Sequence, residues 1–336
     1  MRTRLTHSLH QRAASLSGRF GVATPLVLVI ALVASAAGGL VVGGGSGFLH
    51  SIQQDATPRG EVRLVSDVAS VRPGEPFTVG LHITLEDGWR TPWKNAGDVG
   101  SALLASWMLP SGFSVDSFAY PIPERITAPP VASYGYTGEV VIFATITPAA
   151  DIEPGRSVRL RLSADFVICG STCIPVSAER SLELPVRDAP PAPSGDAGRI
   201  RRYADRLPVT HAGWTARAAR TNSGLVLGLT PPANWEGSLN GAYFFPADRG
   251  LLDHAAEQPV GRTARGEYRV RLTESTYLSA RPERIEGILV LPHGAAFDAA
   301  GHRGLIVSAA VEGAEVTWAA EATKPVAAPK RQKALR

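Results

Sequence analysis

Sulfur is scarce in this chain of 336 residues: two cysteines, Cys169 and Cys173, and two methionines, Met1 and Met108. A Cys-x3-Cys pair could in principle hold a soft metal such as Cu(I), but so few thioethers and no nearby histidine argue against a copper store. The eight histidines (His7, His10, His50, His82, His211, His254, His293 and His302) are scattered without metal-ligand spacing, so no metal site is expected. Net charge is also low, at +4. Much of it sits at the ends, in Arg2, Arg4, Arg12 and Arg19 and in Lys324, Lys330, Arg331, Lys333 and Arg336. The body is therefore near neutral, which leaves nucleic-acid binding without support. The glycine-rich Gly43–Gly47 stretch is followed by neither a strand nor a Lys-Ser/Thr pair, so it is no phosphate loop. Linear spacing supports no Ser-His-Asp triad, and nothing indicates an organic cofactor.

Charge is absent altogether between Phe20 and Asp55. That gap holds an apolar run, Leu26 to Val33, preceded by basic residues and followed by Ala34-Ser35-Ala36, a small-x-small cleavage pattern. Residues 1–54 thus read as a secretory signal. An uncleaved anchor is the rival, because apolar and small residues continue through Val41, Val42 and Leu49 towards the roughly 20 residues of a membrane span. Both readings export residues 55 onward and leave the basic flank inside. Export places the two cysteines where a disulfide is the default, whereas in a cytosol they would suggest metal binding or catalysis.

What is present points to strands. A hydrophobic content of 44% with 19% charged residues is that of a globular chain, and 336 residues are enough for two cores. In Phe77–Leu85, Phe77, Val79, Leu81, Ile83 and Leu85 alternate with Thr78, Gly80, His82 and Thr84, the pattern of a half-buried strand. Similar runs occupy Glu139–Thr147, Ser157–Ser163, Asp165–Cys169 and Arg180–Val186, separated by turn clusters such as Arg72-Pro73-Gly74 and Glu153-Pro154-Gly155. An all-β architecture follows: an antiparallel β-sandwich over 55–187, a Pro-rich linker over 188–198, a second β-rich sandwich-like domain over 199–318 and a basic tail over 319–336. A short helix is expected at Gly198–Leu207. In the second domain, strands are expected at Leu225–Leu229, Ala242–Phe245, Glu267–Leu272, Ile285–Leu291 and Leu305–Val311. Phe118-Ala-Tyr-Pro121 and Tyr243-Phe-Phe-Pro246 form a faint echo of duplication. The tryptophans Trp89, Trp93, Trp107, Trp214, Trp235 and Trp318 are expected in cores rather than on a partner surface.

The chemistry concentrates in Phe166-Val-Ile-Cys169-Gly-Ser-Thr-Cys173-Ile-Pro175. A three-residue loop containing glycine is a common hairpin connection and would set the two cysteines opposite one another. Opposed residues have Cα atoms roughly 4.5–5.5 Å apart, within reach of a disulfide. A hairpin is already closed by its ladder, so a bridge across it is a poor staple, which favours redox work. A purely structural disulfide remains the alternative. Neither cysteine has an adjacent Lys, Arg or His to lower its pKa. Cys169 ends an apolar strand and should be shielded, which makes Cys173 the expected partner-facing sulfur.

Residues Trp89 to Pro185 carry five motifs in order: Trp89-Arg-Thr-Pro-Trp-Lys-Asn-Ala-Gly-Asp98, Trp107-Met-Leu-Pro110-Ser-Gly112, Pro121-Ile-Pro123, Tyr134-Gly-Tyr136-Thr-Gly-Glu139-Val140 and Cys169-Gly-Ser-Thr-Cys173-Ile-Pro175. Together they resemble the periplasmic N-terminal domain of the DsbD/ScsB family of thiol–disulfide interchange proteins. The resemblance implies an immunoglobulin-like sandwich, a periplasmic location and catalytic Cys169 and Cys173 that pass reducing equivalents by thiol–disulfide exchange. It implies a cap loop at Tyr134, Gly135 and Tyr136, although this stretch lacks the Phe and acidic residues of well-known members, whose cysteines are also further apart. Family members continue into a membrane module and a thioredoxin-like domain, neither of which follows here. The implied partners are therefore a separate membrane-embedded electron donor and periplasmic thioredoxin-fold or disulfide-bearing proteins. The competing function is a non-catalytic sandwich adaptor.

Overall fold

The structure is a computed structural model that describes residues 56–315 apart from Pro58 and Ser223. The expected signal or anchor over 1–54, Trp318 and the tail over 319–336 lie outside the described residues. Among the described residues, no helix is long and apolar enough to cross a membrane.

Among the described residues, eleven strands precede the single helix: β1 (Ala56–Thr57), β2 (Gly60–Ser66), β3 (Phe77–Leu85), β4 (Arg90–Gly97), β5 (Leu104–Met108), β6 (Phe113–Val115), β7 (Glu124–Ala128), β8 (Val131–Thr137), β9 (Glu139–Pro148), β10 (Ser157–Cys169) and β11 (Cys173–Pro185). They form two sheets, ordered β1-β2-β3-β9-β6 and β11-β10-β4-β8-β7, with β5 also paired to β10. Every pairing in these sheets is antiparallel, and the arrangement is an immunoglobulin-like β-sandwich. Its core is built from alternate residues: Leu81, Ile83 and Ile142 from one sheet meet Leu160, Leu162 and Ile168 from the other.

Strand β3 has the bounds its alternation predicts, but its second face is not open. His82 is 4% exposed, and a Cβ at Gly80 would lie 2.3 Å from Val141 Cγ1. The cover is helix α1 (Ala197–Ala204), whose Ile200 and Tyr203, one turn apart, pack on Val65, Val141 and Phe143. Ser157–Ser163 and Asp165–Cys169, expected as separate strands, are one. Ala164 is small but faces inward at 1% exposure, so the inward series Leu160, Leu162, Ala164, Phe166, Ile168 never breaks. The partner β11 is equally long and runs back to Cys173.

The Pro-rich segment after β11 hydrogen-bonds to the first sandwich. Ala69 N donates to Ala192 O at 2.8 Å, and Ser194 N donates to Asp67 O at 2.9 Å. Beyond α1 come β12 (Thr215–Thr221), β13 (Gly224–Thr230), β14 (Tyr243–Pro246), β15 (Val260–Arg262), β16 (Tyr268–Leu272), β17 (Arg284–Val290) and β18 (Gly304–Glu315). They lie in the order β14-β17-β18-β12-β13-β16-β15, with a parallel β12–β18 pair, over a second core that includes Leu227, Phe244, Val270 and Leu289. The echo of duplication has no topological counterpart. Tyr243–Pro246 is a strand, whereas residues 118–121 contribute one bridge, Ala119 to Phe143.

The two β regions share a compact unit and a seam. Phe245, Ile288 and Val290 join the first core. Asn95 Nδ2 donates to Pro246 O at 2.9 Å, and Arg125 Nη2 donates to Ala255 O at 2.7 Å.

Candidate redox site

Thirteen consecutive residue pairs connect β10 and β11, from Ser157 opposite Pro185 to Cys169 opposite Cys173. The ladder therefore delivers the two cysteines to the same rung, next to the three-residue loop Gly170-Ser171-Thr172. Their Cα atoms are 4.0 Å apart and the sulfurs are joined in a disulfide. Within the loop, Gly170 N donates to Thr172 O at 2.8 Å.

The two sulfurs are unequal. Cys169 is 1% exposed, whereas Cys173 is exposed to solvent. The cause is position in the sheet. Cys169 sits on an interior strand, with Cys173 on one side and Arg90 of β4 on the other. Cys173 lies on β11, the edge strand of its sheet among the described residues. A nucleophile arriving from solvent meets Cys173 first.

Trp89, which ends the β3–β4 connection, and Arg90, which begins β4, complete the surroundings. The face of the Trp89 indole covers the loop: a Cβ at Gly170 would lie 3.2–3.3 Å from three ring atoms of Trp89. Any side chain at 170 would displace that ring. Arg90 points its Nη1 at Gly170 O, at 3.5 Å, and Thr91 Oγ1 donates to Val167 O at 3.2 Å, tying β4 to β10. The Arg59 guanidinium lies 5.3 Å from the Trp89 ring centroid. Positive charge thus stands beside a pair that has no basic neighbour in the linear sequence. Charge of that sign favours a thiolate over a thiol.

Tyr134, Gly135 and Tyr136 occupy a different environment. They lie on β8, and all three are buried, Tyr134 at 0% and Tyr136 at 6% exposure. Tyr136 donates its hydroxyl hydrogen to Pro121 O at 2.7 Å. Tyr134 hydrogen-bonds to the Tyr243 hydroxyl at 2.8 Å, and that hydroxyl donates to His254 O at 3.1 Å. Burial pushes both the Tyr134 and Tyr136 phenols well above the ordinary tyrosine range. These rings belong to the core and to the seam with the second β region. The side chain resting on the disulfide loop is Trp89. Sequence periodicity placed it only among candidate core aromatics, because the contact with Gly170 spans two strands.

Residues 61–185 match the family described as thiol:disulfide interchange protein DsbD, N-terminal. The N-terminal periplasmic domain of ScsB from Proteus mirabilis has the same fold at 19% identity, with a TM-score of 0.50. That match covers 76% of this chain and 94% of that chain, so the likeness of fold extends into the second β region. The DsbD N-terminal domain of Neisseria meningitidis, in its reduced form, aligns at 11% identity and a TM-score of 0.25 over 38% of this chain and 87% of that one. No curated protein sequence matches the chain. Residues 61–185, which hold the paired cysteines and the strands that present them, thus match the DsbD N-terminal family of thiol:disulfide interchange proteins.

Proposed function

We propose that the chain is a periplasmic thiol–disulfide relay that works through Cys169 and Cys173. The observation that carries this reading is the unequal exposure of two bonded sulfurs at the tip of a hairpin. A structural bridge gains nothing from one open sulfur, and thirteen rungs already hold the two strands together. An exchange site needs one sulfur for the visitor and one held in reserve.

The cycle begins when a dithiol donor reduces the disulfide. One donor thiolate attacks Cys173 Sγ, forming a mixed disulfide and releasing Cys169 as a thiolate. The second donor thiol then resolves the mixed disulfide, leaving the donor oxidised and both cysteines reduced. In the second half, the Cys173 thiolate attacks the disulfide of an acceptor, and one acceptor sulfur leaves as a thiolate. Cys169 attacks Cys173 Sγ, expels the acceptor's other sulfur and restores the Cys169–Cys173 bond. Two electrons and two protons pass from donor to acceptor. Arg90, beside Cys169 on β4, would favour the thiolate forms that attack.

The family match supports a membrane-embedded protein as the donor and an oxidised thioredoxin-fold protein as the acceptor. It also supports the periplasm as the location, with the charge-free N-terminal segment as signal or tether.

Trapping tests the proposal. A Cys169→Ser variant should accumulate a reducible covalent adduct through Cys173 in envelope extracts, and Cys173→Ser should accumulate far less. A reduction potential below about −300 mV together with no adduct from either variant would assign the bridge a structural role and leave an adaptor function instead.

A further inference from the structure

We propose that His211, Asp298 and His302 form a binding site for a divalent transition-metal ion in the second β region, separate from the disulfide and independent of the exchange reading. The ligating atoms of the three side chains lie within 4.8 Å of one another. His302 Nδ1 is 2.6 Å from Asp298 Oδ2, and His211 Nε2 is 3.7 Å from the same oxygen. A tetrahedral ion with bonds of about 2.0–2.2 Å sets its ligands about 3.3–3.5 Å apart, so modest side-chain rotations reach that geometry. Two imidazoles and one carboxylate suit zinc and its neighbours rather than a soft, thiolate-seeking ion or a hard, all-oxygen one.

The backbone holds the three in place before any ion arrives. Val209 bridges to Leu305, with Val209 N donating to Gly304 O and Ile306 N donating to Val209 O, each at 2.9 Å. This clamp sets His211, two residues later, beside the entry to β18. Phe297 N donates to His302 O at 2.7 Å, closing the turn that carries Asp298 and His302. Ring contacts orient His211 further, with Phe297 and His302 centroids 5.8 and 6.1 Å away.

A simpler role for Asp298 is to cap its own turn, since His302 N donates to Oδ1 at 3.0 Å and the His302 ring is bonded to Oδ2. That role leaves His211 unexplained. Its Nε2 is buried and has no hydrogen-bond partner among the described residues, although it faces the carboxylate. Buried polar atoms without partners are costly and uncommon, and a shared cation would satisfy this one. The site is also accessible. It borders a cavity of about 530 Å³ lined by Trp214, Asn234, Trp235 and Phe297, so a fourth coordination position would open to water or a small ligand.

The experiment is zinc titration of the chelator-treated full-length chain by calorimetry, with Co²⁺ absorption as a second readout of ligand geometry. One Zn²⁺ per chain and a tetrahedral Co²⁺ band are expected, and His211→Ala, which leaves the Asp298–His302 turn intact, should weaken binding about tenfold or more. His302→Ala should do the same, with circular dichroism confirming that the variant folds. Cys169→Ser/Cys173→Ser should bind as the parent does. Unchanged stoichiometry and affinity in His211→Ala, loss of binding only in the cysteine variant, or no bound zinc in the parent would each overturn the proposal.

Discussion

The disulfide hairpin of the first sandwich and the His-Asp-His cluster of the second β region reach the same end by opposite means. Cys169 and Cys173 are four residues apart, and one ladder places them on a single rung. His211 meets Asp298 and His302 only because the segment at Val209 docks alongside β18. A site made by local pairing survives in sequence as a motif. A site made by docking leaves no spacing to read, which is why the histidines look scattered along the chain. The surroundings differ in the same way. Trp89 and Arg90 are 80 residues from the loop they cover and reach it through β4.

The seam between the two regions offers the strongest way to break this comparison. Trp93 is 1% exposed, and its ring centroid is 6.2 Å from that of Phe245 across the seam. Trp93→Ala should cost about 3–5 kcal/mol and lower the stability of both regions together, seen as one shifted denaturant transition. Two well-separated transitions would show that the regions fold independently.

A second test separates the nearby cation from the disulfide itself. Arg90→Gln should slow the exchange of the reduced protein with a model disulfide at neutral pH severalfold. An unchanged rate would remove Arg90 from the site.

The two aromatic covers are distinguished by a matched pair of variants. Trp89→Ala should speed reduction of the disulfide by small thiols severalfold while costing little stability. Tyr134→Phe removes one end of the Tyr134–Tyr243–His254 chain and should cost about 1 kcal/mol without altering the exchange rate. The reverse pattern would make Tyr134 the cover.

The smallest expected effect is a pH dependence at His82. Its pKa is lowered from the ordinary 6.5, first by burial and then by Arg199 and Arg63, against the opposing pull of Glu139. The folded state therefore favours the neutral ring. That stabilisation is complete above 6.5 and shrinks as pH falls, because the unfolded chain takes up the proton first. His82→Gln should flatten the decline in stability as pH falls from 7 to 5. An unaltered slope would place the titrating group elsewhere.

Much of the first sandwich is legible in its residues. Phe77–Leu85 alternates cleanly enough to give a strand with the observed ends, and the glycine loop after Cys169 gives the hairpin. The failures share one cause. Ala164 reads as a break because its side chain is small, yet only its direction matters to the ladder. His82 reads as facing water because α1, more than a hundred residues downstream, does not enter the periodicity of its strand.

By itself the sequence determined the class of fold, the rung that pairs Cys169 with Cys173 and the resemblance of Trp89 to Pro185 to the DsbD/ScsB N-terminal domain. Each depends on contacts between neighbours in the chain or on motifs in a fixed order, and short-range backbone geometry enforces them. Tertiary structure alone decided which aromatic covers the loop, where Tyr134 spends its hydroxyl and which histidines meet. Those outcomes depend on what lies across a sheet or beyond it, and burial belongs to the assembled molecule rather than to any one strand.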